Sequence, residues 1–277
     1  MDKLNVDAWV GREVIASGSI SDRQAQMIAA TIGGAAPIDV TDPLPPLWHW
    51  YAFTPIESNA ALGPDGHVRG SSLLPPIHLK RRMWAGGGLT FHRPVHAGER
   101  LQRSTRVRSI VEKQGKSGPM VFVTLDHLIF GAHGLAVEER QDIVYLDIPD
   151  TFMPPAKQAL PVPLCERVDM PETVLFRYSA ITFNAHRIHY DLRYTQEVEK
   201  YPGLLVHGPL QAALLMRAAV RHRERAPLFF EFRAMHPMFV GSTCDIAMQE
   251  STEGLSLWTG QDGHQCMQAQ AVWEETQ

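Results

Sequence analysis

Residues 210–222 read Leu-Gln-Ala-Ala-Leu-Leu-Met-Arg-Ala-Ala-Val-Arg-His. No other stretch limits the possible folds as strongly. Leu, Ala and Met favour a helix, and the apolar positions run nearly all the way round it. A helix of that kind has no face suited to water and has to be enclosed. It is too short to span a bilayer, which takes about 20 residues. His207-Gly208-Pro209 stands just before it. Proline suits the first position of a helix, where no N–H is needed. The free N–H groups of the first turn and the helix dipole then point back at whatever precedes them.

What could enclose such a helix is visible on both sides. Leu89–His92, Leu101–Lys113, Met120–Phe130 and Val137–Leu146 read as strands. Apolar alternation is plain at Val121, Val123 and Leu125. Gly115–Gly118 and Gly131–Gly134 supply turns. After the helix come four more strands: Leu228–Met235, Ser242–Glu250, Leu255–Gln261 and Gln265–Glu274. Strands this long predict a curved antiparallel sheet. Pro94-Val-His-Ala-Gly98 and Pro237-Met-Phe-Val-Gly241 share Pro-x-x-x-Gly ahead of a long strand, 143 residues apart. The matched order of the strands that follow points to an internal duplication.

A curved sheet wrapped round one helix, present twice, is a double hotdog of the α+β class. The expected division is a degenerate N-terminal half at 1–146, a Pro-rich linker at 147–171 and a catalytic half at 172–277. The first half's candidate helix is broken by Pro75-Pro76 and carries Lys80-Arg81-Arg82, so one active site per chain is expected. Smaller expectations complete the reading. Residues 1–20 are irregular. Ser21-Asp-Arg-Gln24 is a capping box opening a helix that stops at Gly33-Gly34. Leu47–Phe53 is an edge strand between prolines, and 77–84 is a short helix broken by Gly86-Gly-Gly88. Thr173–Phe183 is a strand running into a polar helical stretch, Asn184–Tyr201.

The chemistry gathers where that strand is expected to end: Tyr178-Ser-Ala-Ile-Thr-Phe-Asn184-Ala-His186-Arg187-Ile-His189-Tyr190-Asp191. His189 can act as a base, because imidazole titrates near working pH. Asn184 cannot take a proton, but its amide can orient a water; it could equally cap a helix. His186 suits a structural hydrogen bond as well as a substrate contact, and His207 suits support of the turn. Arg187 and Arg193 can pair with Asp191 or Glu197, or with a carboxylate on a ligand; Arg93 and Arg233 are remoter candidates. Zinc on His186, His189 and His207 is set aside, because no Cys or Glu clusters with them. Gly86-Gly-Gly88 lacks the Lys-Ser/Thr of a phosphate loop.

Asn184-Ala-His186-Arg187-Ile188-His189 resembles the hydratase motif of MaoC-like, R-specific enoyl-CoA hydratases, Asp-x-Asn-Pro-(Leu/Ile)-His. Asn184 stands at the acid, His186 at the amide, Arg187 at the proline and His189 at the histidine. With Tyr201-Pro-Gly-Leu-Leu-Val-His-Gly-Pro209 downstream, the chain is most similar to one branch of that family. That branch holds the type 2 hydroxyacyl-thioester dehydratases and the mesaconyl-C4-CoA/itaconyl-CoA hydratases. The resemblance is good over 173–273 and looser in the first half. It implies a hydro-lyase adding water to a short enoyl-CoA, with mesaconyl-C4-CoA or itaconyl-CoA going to citramalyl-CoA. It also implies catalytic roles for Asn184, His189 and the Gly208 N–H, with His186, Arg187, Tyr190, Arg193 and His207 around the substrate. The departure is an amide where relatives carry an acid.

The alternative in the same class is a 3-hydroxyacyl-thioester dehydratase of fatty-acid synthesis, acting on CoA or a carrier protein. A hotdog thioesterase would need a carboxylate to activate water, which Asn184 does not supply. Against a non-catalytic acyl-CoA-binding subunit stands, as a weaker argument, the retention of both His189 and the Gly208-Pro209 turn. The charge of −4, spread without runs, points away from nucleic acid and membrane surfaces. Cys165, Cys244 and Cys266 have no CxxC spacing, and no signal-peptide pattern opens the chain, so a reduced cytoplasmic setting is expected. No cofactor or metal is expected beyond the CoA of the substrate. A homodimer is possible through exposed strand edges.

Overall fold

The computed structural model describes residues 6–33, 42–115, 118–161 and 163–274. The strands are β1 (Glu13–Gly18), β2 (Arg81–Phe91), β3 (Leu101–Gly115), β4 (Gly118–Gly131), β5 (Gly134–Leu146), β6 (Leu164–Asp169), β7 (Phe229–Ala234), β8 (Thr243–Ser251), β9 (Gly254–Gln261) and β10 (His264–Val272). They form one antiparallel sheet in the order β1-β3-β4-β5-β2-β7-β10-β9-β8-β6. Read from its middle outward, that order is the same on both sides. β2 and β7 meet there, joining the halves through pairs from Gly86↔Arg233 to Thr90↔Phe229. The fold is a double hotdog of the α+β class.

The equivalence reaches single hydrogen bonds. Gly98 N–H donates to Ile20 O at 2.7 Å, and Gly241 N–H donates to Met170 O at 3.2 Å. Both glycines have positive φ, at 75° and 92°, where a side chain is costly; this gives the Pro-x-x-x-Gly repeat its reason. Leu44 N–H donates to Val95 O as Val206 N–H donates to Met238 O. Bridges Pro43↔His96 and Leu205↔Phe239 match in the same way.

That matching locates the first half's helix. In the second half the chain runs on from Val206 into α4 (Gly208–Arg223). In the first half it runs on from Leu44 into a single 3-10 segment, Trp48–Phe53. The helix expected near 77–84 is therefore not there: Arg81–Phe91 is β2, paired on both edges. Gly86-Gly-Gly88 lies inside that strand instead of breaking it. A Cβ on Gly87 would stand 2.8 Å from Phe232 Cζ and 2.5 Å from Arg140 O, so glycine lets the half-sheets close on each other. Leu47–Phe53 is likewise not an edge strand: Trp48, His49 and Tyr51 turn inward and are buried.

α4 lies against β7, β9 and β10. Leu210, Leu214, Leu215, Ala218 and Ala219 are fully buried. Each leucine contributes about 1.5–3 kcal/mol of transfer free energy. Its one neutral polar core residue, Gln211, accepts from Thr259 Oγ1 at 2.7 Å. Two shorter helices flank it. α1 (Asp22–Ile32) opens with the capping box and ends at Gly33; Gly34 lies outside the described residues. α2 (Glu172–Thr182) replaces the strand expected at 173–183. Pro171 begins it, Phe183 ends it at φ 50°, and Leu175 and Tyr178 face the core one turn apart. The β-branched and aromatic residues of that segment hid a helical period. Two further differences are smaller. Residues 13–18, expected to be irregular, form β1. Residues 164–169, within the expected linker, form β6, paired with β8.

Candidate active site

Phe183 turns the chain out of α2 and gives Asn184 its place. Asn184 Oδ1 accepts the backbone N–H of His186 at 3.0 Å. Its amide nitrogen has no partner among the described residues and faces a cavity of about 1410 Å³. A short 3-10 turn, Arg187–His189, follows, and then α3 (Leu192–Glu197), capped by Asp191. The long helical stretch expected over 184–201 is thus only these two short pieces. The turn drives the His189 ring inward. His189 Nδ1 lies 2.8 Å from Leu205 O, so Nδ1 carries the proton and donates. Nε2 then holds the lone pair.

His189 stacks on His207, with ring centroids 3.6 Å apart and planes at 18°. His207 Nε2 lies 2.9 Å from Ser179 Oγ. His186 meets His189 edge-on at 5.4 Å. All three rings are buried. Burial pushes the His189 pKa down to about 4. Burial and then neighbouring imidazoles lower those of His186 and His207 as well. Burial disfavours the charged form, so the cluster is neutral near pH 7 and His189 Nε2 can accept a proton.

Gly208 is the first residue of α4, with His207 at its cap. Backbone N–H groups of a first turn have no acceptor within the helix. A Cβ on Gly208 would stand 3.0 Å from Trp84 Cε3, so an indole face forms the opposite wall. Asn184, His186, His189, Tyr190, His207 and Gly208 all line this one cavity. Arg187 and Arg193 do not. They line an adjoining cleft of about 1020 Å³, where Arg187 pairs with Asp191 at 2.7 Å and Arg193 with Glu197 at 3.0 Å.

The first half contributes more than the sequence indicated. Asp65 and His67 sit on a loop pressed against the site. His67 Nδ1 is 2.8 Å from Asp65 Oδ2, and the His67 ring lies 4.0 Å from that of His186. Burial raises the Asp65 pKa, but the His67 hydrogen bond and charge more than offset it and hold the carboxylate ionised. Deeper in, Thr105, His127 and Glu139 stand directly opposite one another across β3, β4 and β5. Thr105 Oγ1 is 2.8 Å from His127 Nδ1. Glu139 is held by His49 Nε2 at 3.1 Å and Trp50 Nε1 at 3.0 Å. Arg103 lies beside them over the Phe53 ring. Its Nε is buried with no hydrogen-bond partner, and it makes no ion pair among the described residues. In the second half α4 fills the matching space. The short Trp48–Phe53 turn fills far less of it, so these side chains line the cavity.

Elsewhere, His236, His264 and Cys266 form a buried cluster whose ligand atoms lie within 4.8 Å of one another. His264 Nε2 is 3.1 Å from His236 Nδ1, and the pair is satisfied in part without a metal. Cys244 and Cys266 are buried free thiols, and Cys165 is exposed. Among the described residues no helix is long and apolar enough to cross a membrane.

Comparisons with known proteins bear on the family and the fold. The profile of hydroxyacyl-thioester dehydratase type 2 matches residues 47–240. Mesaconyl-C(4)-CoA hydratase of Chloroflexus aurantiacus is 43% identical over 237 residues, covering 84% of each chain. A MaoC-like dehydratase from Phytophthora capsici superposes with a TM-score of 0.72 at 15% identity, over 98% of this chain and 99% of that one. A Mycobacterium tuberculosis protein with a double hotdog fold superposes at 0.54 and 16% identity, over 95% and 96%. This chain therefore belongs to the hydroxyacyl-thioester dehydratase type 2 family.

Proposed function

We propose that the protein is a hydro-lyase that adds water reversibly across the double bond of a short enoyl-CoA, with mesaconyl-C4-CoA, giving citramalyl-CoA, as its first substrate. Itaconyl-CoA is the related second choice. One observation supports the reaction class above the others: a neutral His189 with its Nε2 lone pair free, beside the Asn184 amide and the first turn of α4. His189 takes a proton from water as the oxygen bonds to the β-carbon. The Asn184 amide donates to that water or to the thioester. The Gly208 N–H receives the negative charge that moves onto the thioester oxygen. In this reading 172–277 carries these groups, 147–171 connects and adds β6 to the second half's sheet, and 1–146 completes the fold and the pocket wall.

The choice of a dicarboxylic acyl group is supported by the mesaconyl-C(4)-CoA hydratase relative and by Arg103. Arg103 is half-buried, and its buried Nε lacks a hydrogen-bond partner, which costs about 1–3 kcal/mol. A carboxylate at the free end of the acyl group would give it one. Arg187, Arg193, Arg93 and Arg233 are less suited: the first two are paired, and Arg93 and Arg233 are exposed and away from the cavity. No cofactor beyond the substrate's CoA, a cytoplasmic setting and a homodimer belong to the same proposal.

Loss of enoyl conjugation distinguishes the readings. Wild-type protein is expected to hydrate mesaconyl-C4-CoA well ahead of 3-methylcrotonyl-CoA, which has a methyl in place of the carboxylate. Arg103→Met should cost about 10–100-fold on the former, the worth of a hydrogen-bonded charge contact, and little on the latter. Equal rates on both thioesters would contradict the dicarboxylic reading. Release of free thiol without hydration would contradict the hydro-lyase.

A further inference from the structure

We propose that Asp65 and His67, from a loop of the first half, are a second acid–base pair of the same reaction site, and that His67 handles the proton at the α-carbon. The inference rests on the hydro-lyase reading above. It accounts for an amide standing at position 184.

The loop is fixed to the catalytic turn by several independent contacts. Arg187 N–H donates to Asp65 O at 2.9 Å. Arg187 Nη1 donates to Pro64 O at 2.9 Å. Gly66 is so close to the turn that a Cβ there would stand 1.8 Å from Ala185 O. Asp65 in turn fixes His67 twice, with Oδ1 accepting the His67 backbone N–H at 3.0 Å and Oδ2 lying 2.8 Å from Nδ1. A carboxylate on Nδ1 sets the tautomer, leaves Nε2 for chemistry and stabilises the imidazolium. No bond engages Nε2 among the described residues. A loop serving only to cover the site would not need its imidazole oriented at both ends.

Position decides the role. His67 lines both the reaction cavity and the adjoining cleft, so it stands at their junction. The thioester carbonyl, held at Gly208, separates the CoA from the double bond. An acyl group running from the cleft into the cavity presents its α-carbon before its β-carbon. His67 then stands nearer the α-carbon and His189 nearer the β-carbon. The His186 ring neighbours both, 4.0 Å from His67 and 5.4 Å from His189. The His67 and His189 rings are thus no further apart than the sum of those separations. Both imidazoles are therefore within reach of one short acyl group.

The proton count closes. Burial lowers the His67 pKa although the Asp65 carboxylate opposes it, so His67 first takes a proton from solvent, and hydration starts with His189 neutral and His67 protonated against ionised Asp65. His189 Nε2 takes a proton from water while the water oxygen bonds to the β-carbon. The π electrons move through the α-carbon onto the thioester oxygen. The enolate collapses, the α-carbon takes the proton from His67 Nε2, and His67 is left neutral. One H and one OH have been added, and one proton has moved from His67 to His189. It returns through solvent or the neighbouring His186, towards the imidazole that has a carboxylate beside it.

The test begins with wild-type protein on mesaconyl-C4-CoA and crotonyl-CoA. Absence of hydration on any enoyl-CoA would remove the underlying reaction, and with it this proposal. Given an active wild type, His67→Asn and His67→Gln are each expected to lose 100-fold or more in kcat with KM within a few-fold. Asp65→Asn should lose about tenfold. Exchange of the α-hydrogen of the hydroxyacyl thioester in D2O should fall in parallel. Two variants are used because the loop is tightly packed, and a thermal melt confirms that each is folded. A folded His67 variant with near wild-type kcat and α-exchange, beside an inactive His189→Ala, would overturn the proposal while leaving the hydro-lyase intact.

Discussion

At the scale of single residues, the site rests on which nitrogen holds a proton. His189 donates a hydrogen bond from Nδ1–H to Leu205 O and keeps Nε2 free. Asn184 is committed in the opposite sense: its oxygen is taken by the His186 N–H, so only its amide hydrogens face the cavity. Asn184→Asp can keep the turn bond, but it loses a donor and places a charge among neutral imidazoles. The expected result is a fall of about 10–100-fold in kcat, the worth of one hydrogen bond to developing charge, with melting little changed. Unchanged or raised activity, measured by loss of conjugation, would show that the position serves as the family's acid. These residues were legible because Asn184 and His189 sit within one short motif. Asp65, His67, Arg103 and Glu139 were not. Each lies far upstream, in loops or strands whose sequence carries no sign of facing His189. The Asp65-Gly-His67 spacing was the one local hint, since Asp and His two apart can hydrogen-bond across a turn.

At the scale of elements, α4 does two jobs. Its apolar sides fill the second half-sheet, and its first turn opens towards the cavity. Gly208 is where these meet. Gly208→Ala asks nothing awkward of the helix backbone, since the residue has no positive φ. Its methyl, however, meets Trp84 at 3.0 Å and would crowd the N–H groups. Activity should fall tenfold or more while the melting temperature moves by only a few degrees; a large loss of stability with kcat unchanged would contradict this role. The long strands and α4 itself were legible because each repeats its period many times. α2 was not, because Thr173, Val174, Tyr178 and Ile181 carry strand propensity that burial against the core overrides. The strand β2 was hidden by its glycines, which look like a break until Phe232 is seen against them.

At the scale of the whole molecule, two equivalent half-sheets have been put to different uses. One encloses a full helix. The other has only Trp48–Phe53 in its place, and the space so gained is walled by Arg103, His127 and Glu139. The duplication was legible from Pro-x-x-x-Gly and strand order. The reduction of the first helix to one short turn was not, because only the pairing of Leu44 with Val95 shows which segment replaces it. In the proposed reading the asymmetry leaves one reaction site per chain, centred on His189. The most direct measurement is therefore the hydration rate of His189→Ala on mesaconyl-C4-CoA, with its melting temperature beside it. Removing a proton-transfer group costs typically 100- to 10,000-fold. A loss of that size in a folded protein is predicted, and a folded variant that hydrates at near the wild-type rate would contradict it.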